Sequence, residues 1–278
     1  MTGFGSGPLA VIAEWEVPHA AAAVVGPDGV RAVFGDPAEQ FALASVTKPL
    51  SALTALLAVE EGALALDDPA VTDIVDGATV RHLLAHAAGL AMDRRVRAAM
   101  PGTRRIYSNA GIEILGEVVT EASGIDFGEY FAAGVAEPLG LIGTDLGPRP
   151  SRDGRSTVAD LSTVIGELLA PTGLLHPSTV AEATSVQFPG LAGVVPGFGR
   201  QDPNDWGLGV EIKGAKTPHW TGASNSPATY GHFGQAGTMF WVDPVARLGL
   251  VVLTDRPFEQ WARIAWPSLS DAVLAAYA

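Results

Sequence analysis

Short β-type runs of apolar residues occur at both ends of the chain. Residues 17–36, VPHAAAAVVGPDGVRAVFGD, contain two such runs around the turn signal GPDG and predict a hairpin. From Trp206 onward, Gly, Pro and Asp turns join three further runs: WGLGVEIK, TYGHFGQAGTMFWVD and RLGLVVLTD. Because parallel neighbours need long crossovers, these short turns predict antiparallel pairing in one sheet built from both termini.

Helical patterns occupy the middle of the chain. The spacing of the apolar residues over 109–124 predicts a helix, since they are Ile112, Leu115, Val118 and Val119. Further helices are predicted over about 45–61, 79–90, 156–170 and 177–186, with a C-terminal one over 261–278 that Pro267 interrupts. This order predicts a sheet domain of residues 1–62 and 200–278, with a mostly helical subdomain of residues 63–199 between them.

Length and composition limit the classes of function. With 278 residues, 47% of them hydrophobic and 17% charged, the chain can bury a substantial core. The formal charge of −13 argues against a nucleic-acid partner, which would require a basic face. The chain has no cysteine, which excludes disulfides and thiolate metal sites.

Neither a membrane span nor a secretory leader is visible. The longest apolar run after Lys48 covers residues 49–59, which is shorter than the roughly 20 residues that cross a bilayer. The first basic residue is Arg31, whereas a secretory signal begins with a basic segment. The sequence therefore predicts a cytoplasmic protein without a membrane partner.

Ser45 and Lys48 form an S-x-x-K pattern at the start of a predicted helix. Residues three apart share a helix face, so the hydroxyl and the ammonium can meet. A serine hydroxyl becomes a good nucleophile only when a neighbour takes its proton, and burial among aliphatic side chains lowers the pKa of a lysine. The structural alternative is that Ser45 caps the helix and Lys48 extends to water.

Tyr107 and Asn109 lie at the start of the helix predicted over 109–124. A phenol near an ammonium has a lowered pKa, so Tyr107 can exist as a phenolate and accept a proton. Which of Lys48 and Tyr107 holds the proton at rest stays open at this point, because a coupled pair titrates as a unit. The Asn109 amide can orient Lys48 through its carbonyl and a substrate amide through its other end. Alternatively, Asn109 caps the helix and Tyr107 is a buried aromatic residue.

Glycines interrupt the strand-like run YGHFGQAGTMFWVDP, residues 230–244. Glycine weakens a strand unless a ligand or another backbone approaches closely, and we expect Gly234 to leave room for a substrate. The N–H groups of Gln235 and Ser45 would then hold a substrate carbonyl oxygen, with His232 beside the site as a hydrogen-bonding or weakly cationic group. A bulge with a solvent-facing histidine is the structural alternative.

The three motifs, in this order, resemble those of the serine β-lactamase and penicillin-binding-protein superfamily. The resemblance is to its class C-like branch, which includes esterases and D-amino-acid peptidases. The similar segments cover about half of the chain. They are FALASVTKPLSALTALLAVEEGALALDDP, VRHLLAHAAGL, YSNAGIEILGEVVTEASG, WGLGVEI and GHFGQAGTMFWVDP.

The resemblance implies an α+β (α/β sandwich) fold, in which an antiparallel sheet carries helices on both faces and the active site lies between it and a helical subdomain. Ser45 would be the acyl-accepting nucleophile, Lys48 its partner and Tyr107 the general base or acid. The substrate-binding and oxyanion residues that it implies, besides the Ser45 amide, are Asn109, His232, Gly234 and Gln235. It implies no cofactor and no metal.

The third motif departs from that of penicillin-specific members, which usually carry Lys-Thr-Gly or Lys-Ser-Gly where this chain has His232-Phe233-Gly234. This departure weakens the case for recognition of a β-lactam carboxylate. We therefore predict a serine hydrolase of small acyl esters, within a class whose small-molecule substrates are esters, amides or β-lactams. A β-lactamase or D-amino-acid peptidase is the alternative inside the class, and a non-catalytic binder with the same fold is the alternative outside it.

Two other clusters receive structural interpretations. His82 and His86 have a metal-ligand spacing, but Leu83 stands where a zinc hydrolase needs glutamate, so we expect hydrogen bonds to the backbone near a turn. A basic cluster before the tyrosine motif is interpreted as a solvated face, and it contains Arg94, Arg95, Arg97, Arg104 and Arg105. The alternative hypothesis is that this cluster draws anionic substrates to the site, so that neutralising Arg94, Arg95 and Arg97 raises KM for acidic substrates but not for neutral ones.

Overall fold

The computed structural model describes residues 7–71 and 73–278, so the first six residues of the predicted sheet domain lie outside the described part. The strands are β1 (Ala20–Gly26), β2 (Gly29–Phe34), β3 (Gln40–Ala42), β4 (Arg155–Thr157), β5 (Gly193–Val195), β6 (Gly199–Gln201), β7 (Glu211–Ile212), β8 (Tyr230–Gly234), β9 (Thr238–Asp243) and β10 (Leu248–Thr254). The α-helices are α1 (Thr47–Glu60), α2 (Val80–Leu84), α3 (Asn109–Ser123), α4 (Phe127–Phe131), α5 (Glu137–Leu139), α6 (Val158–Leu169), α7 (Pro177–Ala183) and α8 (Gln260–Tyr277). The other helical elements are two 3-10 helices, Pro8–Glu14 and Ala44–Val46, and a π-helical turn, Ala132–Ala136.

The main sheet has six antiparallel strands in the spatial order β2-β1-β10-β9-β8-β7. The predicted hairpin is confirmed as β1 and β2, and the C-terminal strand β10 pairs with β1. The sheet is therefore built from both ends of the chain, as the positions of the β-type runs predicted. Two short antiparallel pairs, β3 with β4 and β5 with β6, lie outside it.

The central strands are buried on both faces of the sheet. Successive side chains of a strand point to opposite faces. In β10, Val251 and Leu253 join one hydrophobic cluster, whereas Leu250 and Val252 join the other. Because both faces pack against a core, the strand is a continuous apolar run rather than an alternating one.

Helices supply the other half of each core. Leu56 of α1 and Ile165 of α6 belong to the first cluster, and Trp266 and Val273 of α8 belong to the second. The α+β fold with helices on both faces is thus confirmed. Helix α6 packs on β1 and β10 although it falls within the range of the expected helical subdomain, and that division of the chain stays a prediction. No helix within residues 7–71 and 73–278 combines the length and apolar character needed to cross a membrane.

Two predictions about the helices were wrong, one about an interruption and one about a helix end. Pro267 does not interrupt α8, because Trp266 and Leu269 on either side of it are buried in the core and hold the helix together despite the missing main-chain donor. The helix predicted over 79–90 is only the five residues of α2. It ends early because the chain turns at His86, whose φ of 53° lies in the left-handed region.

Candidate active site

Ser45 lies in the 3-10 turn that leads from β3 into α1. The Thr47 hydroxyl holds this turn, since its Oγ1 donates to the Ala44 carbonyl at 2.6 Å and accepts from the Gly154 amide at 3.0 Å. Ala44 has a φ of 47°, which is uncommon for a residue with a Cβ atom. The backbone before Ser45 is therefore kept in a strained conformation by its surroundings.

The Lys48 side chain is completely buried. Its Nζ donates to Ser45 Oγ at 3.2 Å and to the main-chain oxygen of Ser151 at 2.7 Å, and it lies 4.6 Å from the centre of the Tyr107 ring. Burial, assisted by the nearby Arg152 guanidinium, holds the pKa of Lys48 well below its ordinary value, because both disfavour the charged amine. The structure thus brings together Ser45, Lys48 and Tyr107, and Lys48 does not extend to water.

Tyr107 is a neutral phenol. Burial raises its pKa, and the interaction with the Ser45 hydroxyl opposes this effect only in part. The sequence left the resting proton open between Lys48 and Tyr107, and the phenol keeps it, because the lysine that would stabilise a phenolate loses its own charge on burial. The ring of Tyr107 packs against those of His86 and His232, with centres 4.8 Å and 5.8 Å away.

Asn109 is the first residue of α3, and the helix cap considered for it is supplied by the Ser108 hydroxyl instead. Its Nδ2 donates one of its two hydrogens to Asp93 Oδ1 at 2.7 Å. Its Oδ1 is buried and accepts no hydrogen bond from the described residues, Lys48 included. The expected contact of its carbonyl with the lysine is therefore not made among the described residues, whereas its role toward a substrate stays a prediction.

His232 lies in β8 and is buried rather than facing solvent. Its Nδ1 is 2.7 Å from the Phe233 carbonyl oxygen, so this nitrogen carries the proton and Nε2 is left as an acceptor. Burial lowers the pKa of His232 to about 3, mainly because the charged ring cannot be solvated there. The ring is neutral at ordinary pH, and the weakly cationic role considered for it was wrong.

Gly234 is required by the protein itself. A Cβ atom at this position would lie 2.3 Å from the Leu43 oxygen and 2.6 Å from Thr238 Oγ1. The Thr238 hydroxyl donates to the same Leu43 oxygen at 2.7 Å. The expected room for a substrate is therefore filled by the segment that precedes Ser45, and the glycine allows the close approach of another backbone.

Ser45 and Gln235 line a cavity of about 190 Å³. Within residues 7–71 and 73–278, neither main-chain amide donates a hydrogen bond to another group. Two free N–H donors beside a nucleophile are what the oxyanion of acyl transfer requires. The apolar part of the cavity wall includes Met92, Pro196 and Phe233.

Four residues that shape the site were not predicted: Asp93, Ser151, Arg152 and Glu211. Arg152 lines the cavity and donates to Asp93 Oδ1 at 2.8 Å. Glu211 also lines the cavity, fully buried, with its Oε1 3.2 Å from Lys216 Nζ. Burial acts to raise the pKa of Glu211, but Lys216 and its other partners hold it below the ordinary value. Of these four residues, only Glu211 could have been found from the sequence. It is an acidic residue inside a β-type run, and a buried charge needs a partner.

The two histidines considered as metal ligands have separate surroundings. His82 Nδ1 lies 2.8 Å from Thr79 Oγ1, whereas His86 Nδ1 accepts from the Ser108 amide at 3.2 Å. The expected hydrogen bond to the backbone is confirmed for His86. In the part of the chain that the structure describes, no group of three His, Asp or Glu side chains is placed to hold a metal ion.

The basic cluster does not form one solvated face. Arg105 is buried and donates to four main-chain oxygens, those of Ala85, Gln187, Phe188 and Asn204. Arg95 forms an exposed ion pair with Glu117. The solvated-face interpretation was therefore wrong for Arg105, because its guanidinium joins loops inside the protein, and the attraction of anionic substrates by the exposed arginines stays a prediction.

An antiparallel sheet between helices, with a serine and a buried lysine hydrogen-bonded beside a cavity, defines a serine hydrolase class. The family model for β-lactamases matches residues 10–274. The chain therefore belongs to the β-lactamase family, as the resemblance of its motifs predicted.

The chain is similar to known proteins that are described by different activities. A β-lactamase from Mycobacterium bovis is 56% identical, with a TM-score of 0.94 over 97% of this chain and 99% of that chain. EstCE1, a hydrolase with promiscuous acyltransferase activity, has the same fold at 20% identity, with a TM-score of 0.78 over 95% of each chain. A D-alanyl-D-alanine carboxypeptidase candidate from Salmonella heidelberg is 27% identical over 201 residues. That match covers 56% of this chain and 46% of the carboxypeptidase candidate, so the chain spans less than half the length of this relative.

Proposed function

We propose that the protein hydrolyses esters of small acyl groups through an acyl-enzyme on Ser45. One observation carries the proposal: the buried Lys48 amine, with its lowered pKa, is hydrogen-bonded to the Ser45 hydroxyl. An uncharged amine at this position takes the serine proton while the oxygen attacks the ester carbonyl. The bond to the leaving alcohol then breaks, and the acyl group remains on Ser45 until water releases it.

In this mechanism Tyr107 delivers a proton. Its raised pKa keeps the phenol protonated at neutral pH, so it can protonate the leaving alcohol and recover a proton from Lys48. The amides of Ser45 and Gln235 stabilise the oxyanion of the tetrahedral intermediate. The steps need no cofactor and no metal.

The cavity supports a small, uncharged acyl group as the substrate. Its volume of about 190 Å³ is below the roughly 300–1,000 Å³ of sites for drug-sized ligands. His232, which stands where penicillin-specific members carry lysine, is neutral and offers no positive charge to a β-lactam carboxylate. Both observations favour an ester over a β-lactam.

β-Lactam hydrolysis is the second candidate function. It is supported by the relative from Mycobacterium bovis, which is described as a β-lactamase and is 56% identical. D-Amino-acid peptidase activity has weaker support, because the chain spans only 46% of the carboxypeptidase candidate. The cytoplasmic location and the absence of nucleic-acid and membrane partners stay predictions that accompany this proposal.

The test is incubation of the protein with p-nitrophenyl butyrate, nitrocefin and a fluorescent penicillin, beside Ser45→Ala. We expect turnover of the ester that is lost in the variant, and a trapped acyl group on Ser45 by mass spectrometry. Turnover of nitrocefin without turnover of the ester would favour the second candidate. Ester turnover that persists in Ser45→Ala would contradict the assigned nucleophile.

A further inference from the structure

The loop of residues 150–154 supplies the carbonyl that holds the Lys48 amine. Lys48 Nζ donates to the main-chain oxygen of Ser151 at 2.7 Å, and its other hydrogen-bond partner among the described residues is Ser45 Oγ at 3.2 Å. An uncharged amine has one lone pair, whose direction is fixed once its N–H groups are placed. The position of the Ser151 carbonyl therefore determines how well that lone pair faces the Ser45 hydroxyl.

This loop is held between two helices. On the side of α1, Ser51 Oγ donates to the Pro150 oxygen at 2.6 Å and fixes the main chain just before Ser151. On the side of α3, Glu113 Oε1 accepts from Ser151 Oγ at 2.8 Å. Glu113 is therefore the α3 anchor of the residue whose carbonyl holds Lys48.

The Ser151 hydroxyl is fixed in one orientation by two partners. Ser151 is completely buried, and its Oγ donates to Glu113 while accepting from Arg152 Nε at 3.3 Å. A buried hydroxyl with both a donor and an acceptor has little freedom to turn. The described residues that line the cavity include neither Glu113 nor Ser151, so neither side chain is placed to touch a substrate there.

We propose that Glu113 is a positioning residue, which holds the Ser151 hydroxyl so that the carbonyl of the same residue keeps the Lys48 amine aligned on Ser45. This inference rests on the proposed acyl-enzyme chemistry and extends it to a residue outside the cavity. Without the carboxylate, the buried hydroxyl loses its acceptor and the loop is free to shift against α1. A displacement of about 1 Å at a catalytic group is enough for a loss of about 100-fold, and a smaller shift gives a smaller loss.

The test measures kcat and KM for p-nitrophenyl butyrate in Glu113→Ala and in a matched control. In Glu113→Ala we expect kcat to fall about tenfold and KM to change less than about twofold, because the amine moves and the cavity wall does not. Glu117→Ala is the control. Glu117 lies one turn further along α3, is 60% exposed and pairs with Arg95 rather than with the loop, so its removal should keep the wild-type kcat.

Two further variants separate a positioning hydrogen bond from an effect of charge or of folding. Glu113→Gln removes the charge but keeps an oxygen that accepts from the Ser151 hydroxyl, so kcat should stay within about threefold of wild type. Ser151→Ala removes the hydroxyl and keeps the carbonyl, so it tests the same hydrogen bond even when Glu113→Ala does not fold. The double variant Glu113→Ala/Ser151→Ala should lose no more than either single variant. Losses that multiply, or a glutamine variant as slow as the alanine variant, overturn the role of Glu113.

Labelling with a fluorophosphonate probe, followed by intact-protein mass spectrometry, separates this inference from the esterase proposal. In that reaction Ser45 Oγ bonds to phosphorus, fluoride leaves and the serine proton goes to Lys48, so the rate reports the same alignment without an ester. Labelling slowed about tenfold in Glu113→Ala supports the inference even when no ester is turned over, which would overturn only the esterase function. Equal labelling of wild type and Glu113→Ala overturns the inference and leaves the esterase function intact.

Discussion

The side-chain nitrogen of Lys48 lies 2.7 Å from the main-chain oxygen of Ser151, a residue 103 positions further along the chain. This contact and the hydrogen bond to Ser45 are the polar partners that the buried amine has in the described structure. A neutral amine can donate to the Ser151 carbonyl and still present its lone pair to the Ser45 hydroxyl. A charged ammonium has no lone pair with which to take the serine proton.

The first prediction concerns the pH dependence of ester hydrolysis. The amine must be uncharged to act as a base, so kcat/KM should fall as the pH drops through the pKa of Lys48. Because burial lowers that pKa, we expect this limb of the profile well below the ordinary value of 10.5. The measurement is kcat/KM for p-nitrophenyl butyrate across pH, and a limb close to the ordinary lysine value would contradict the assignment.

Lys48→Arg provides the companion variant, because a guanidinium remains protonated and cannot serve as the base. We expect kcat to fall by about 10²–10⁴-fold, the range that a positioned general base contributes. A variant that retained more than a tenth of the wild-type kcat would show that another group accepts the proton.

The second prediction links the same lysine to stability. An unfolded Lys48 keeps its proton up to the ordinary value of 10.5, whereas the folded one releases it at a lower pH. Between these two values the unfolded state binds more protons, so the free energy of unfolding contributed by this group rises with pH. Lys48→Met has no such group. The wild type should therefore gain stability relative to Lys48→Met when urea unfolding is repeated at about pH 9.5 instead of about pH 7.5. A difference in the free energy of unfolding between the two proteins that does not depend on pH would contradict this prediction.

The meeting of Ser45, Lys48 and Tyr107 could be predicted, because the order and spacing of their motifs resemble a known family. The ionisation of Tyr107 could not, since a pKa depends on how deeply the assembled site buries both the phenol and the lysine. Asp93 and Arg152 were missed for a different reason. They are 59 positions apart in polar loops, and only the tertiary fold joins them beside Asn109.

At Gly234, too, the sequence predicted only part of what the tertiary fold determines. The glycine was correctly interpreted as a place of close approach, but the pattern could not tell a substrate from another backbone. The Leu43 oxygen occupies the space where a Cβ atom would lie, at 2.3 Å. The consequence is that a side chain at this position displaces the segment before Ser45 rather than a substrate.

The third prediction follows from that contact. Gly234→Ala should lower the free energy of unfolding by about 1–3 kcal/mol, because an extra methyl group is forced into a packed site. It should also lower kcat about 100-fold, since a displacement near 1 Å at the nucleophile is enough for such a loss. The measurements are urea unfolding and ester hydrolysis.

Gly166→Ala is the matched control for this substitution. Gly166 lies in α6, and a Cβ atom there meets no other atom within 4 Å. We expect this variant to gain about 0.5–1 kcal/mol from helix propensity, with unchanged kcat. Equal stability and equal kcat in the two variants would refute the explanation given for Gly234.

The fourth prediction separates the two adjacent arginines that were assigned to one cluster. The buried Arg105 guanidinium donates to four main-chain oxygens, two of which, those of Ala85 and Asn204, lie at 2.5 Å and 3.1 Å. Arg105→Met leaves these carbonyls buried without their donor, so we expect the free energy of unfolding to fall by about 3 kcal/mol or more. Arg104 is exposed, and Arg104→Met should change stability by less than about 0.5 kcal/mol. Urea unfolding of both variants is the measurement, and equal stability in the two would mean that the four hydrogen bonds contribute nothing to holding the loops beside Tyr107.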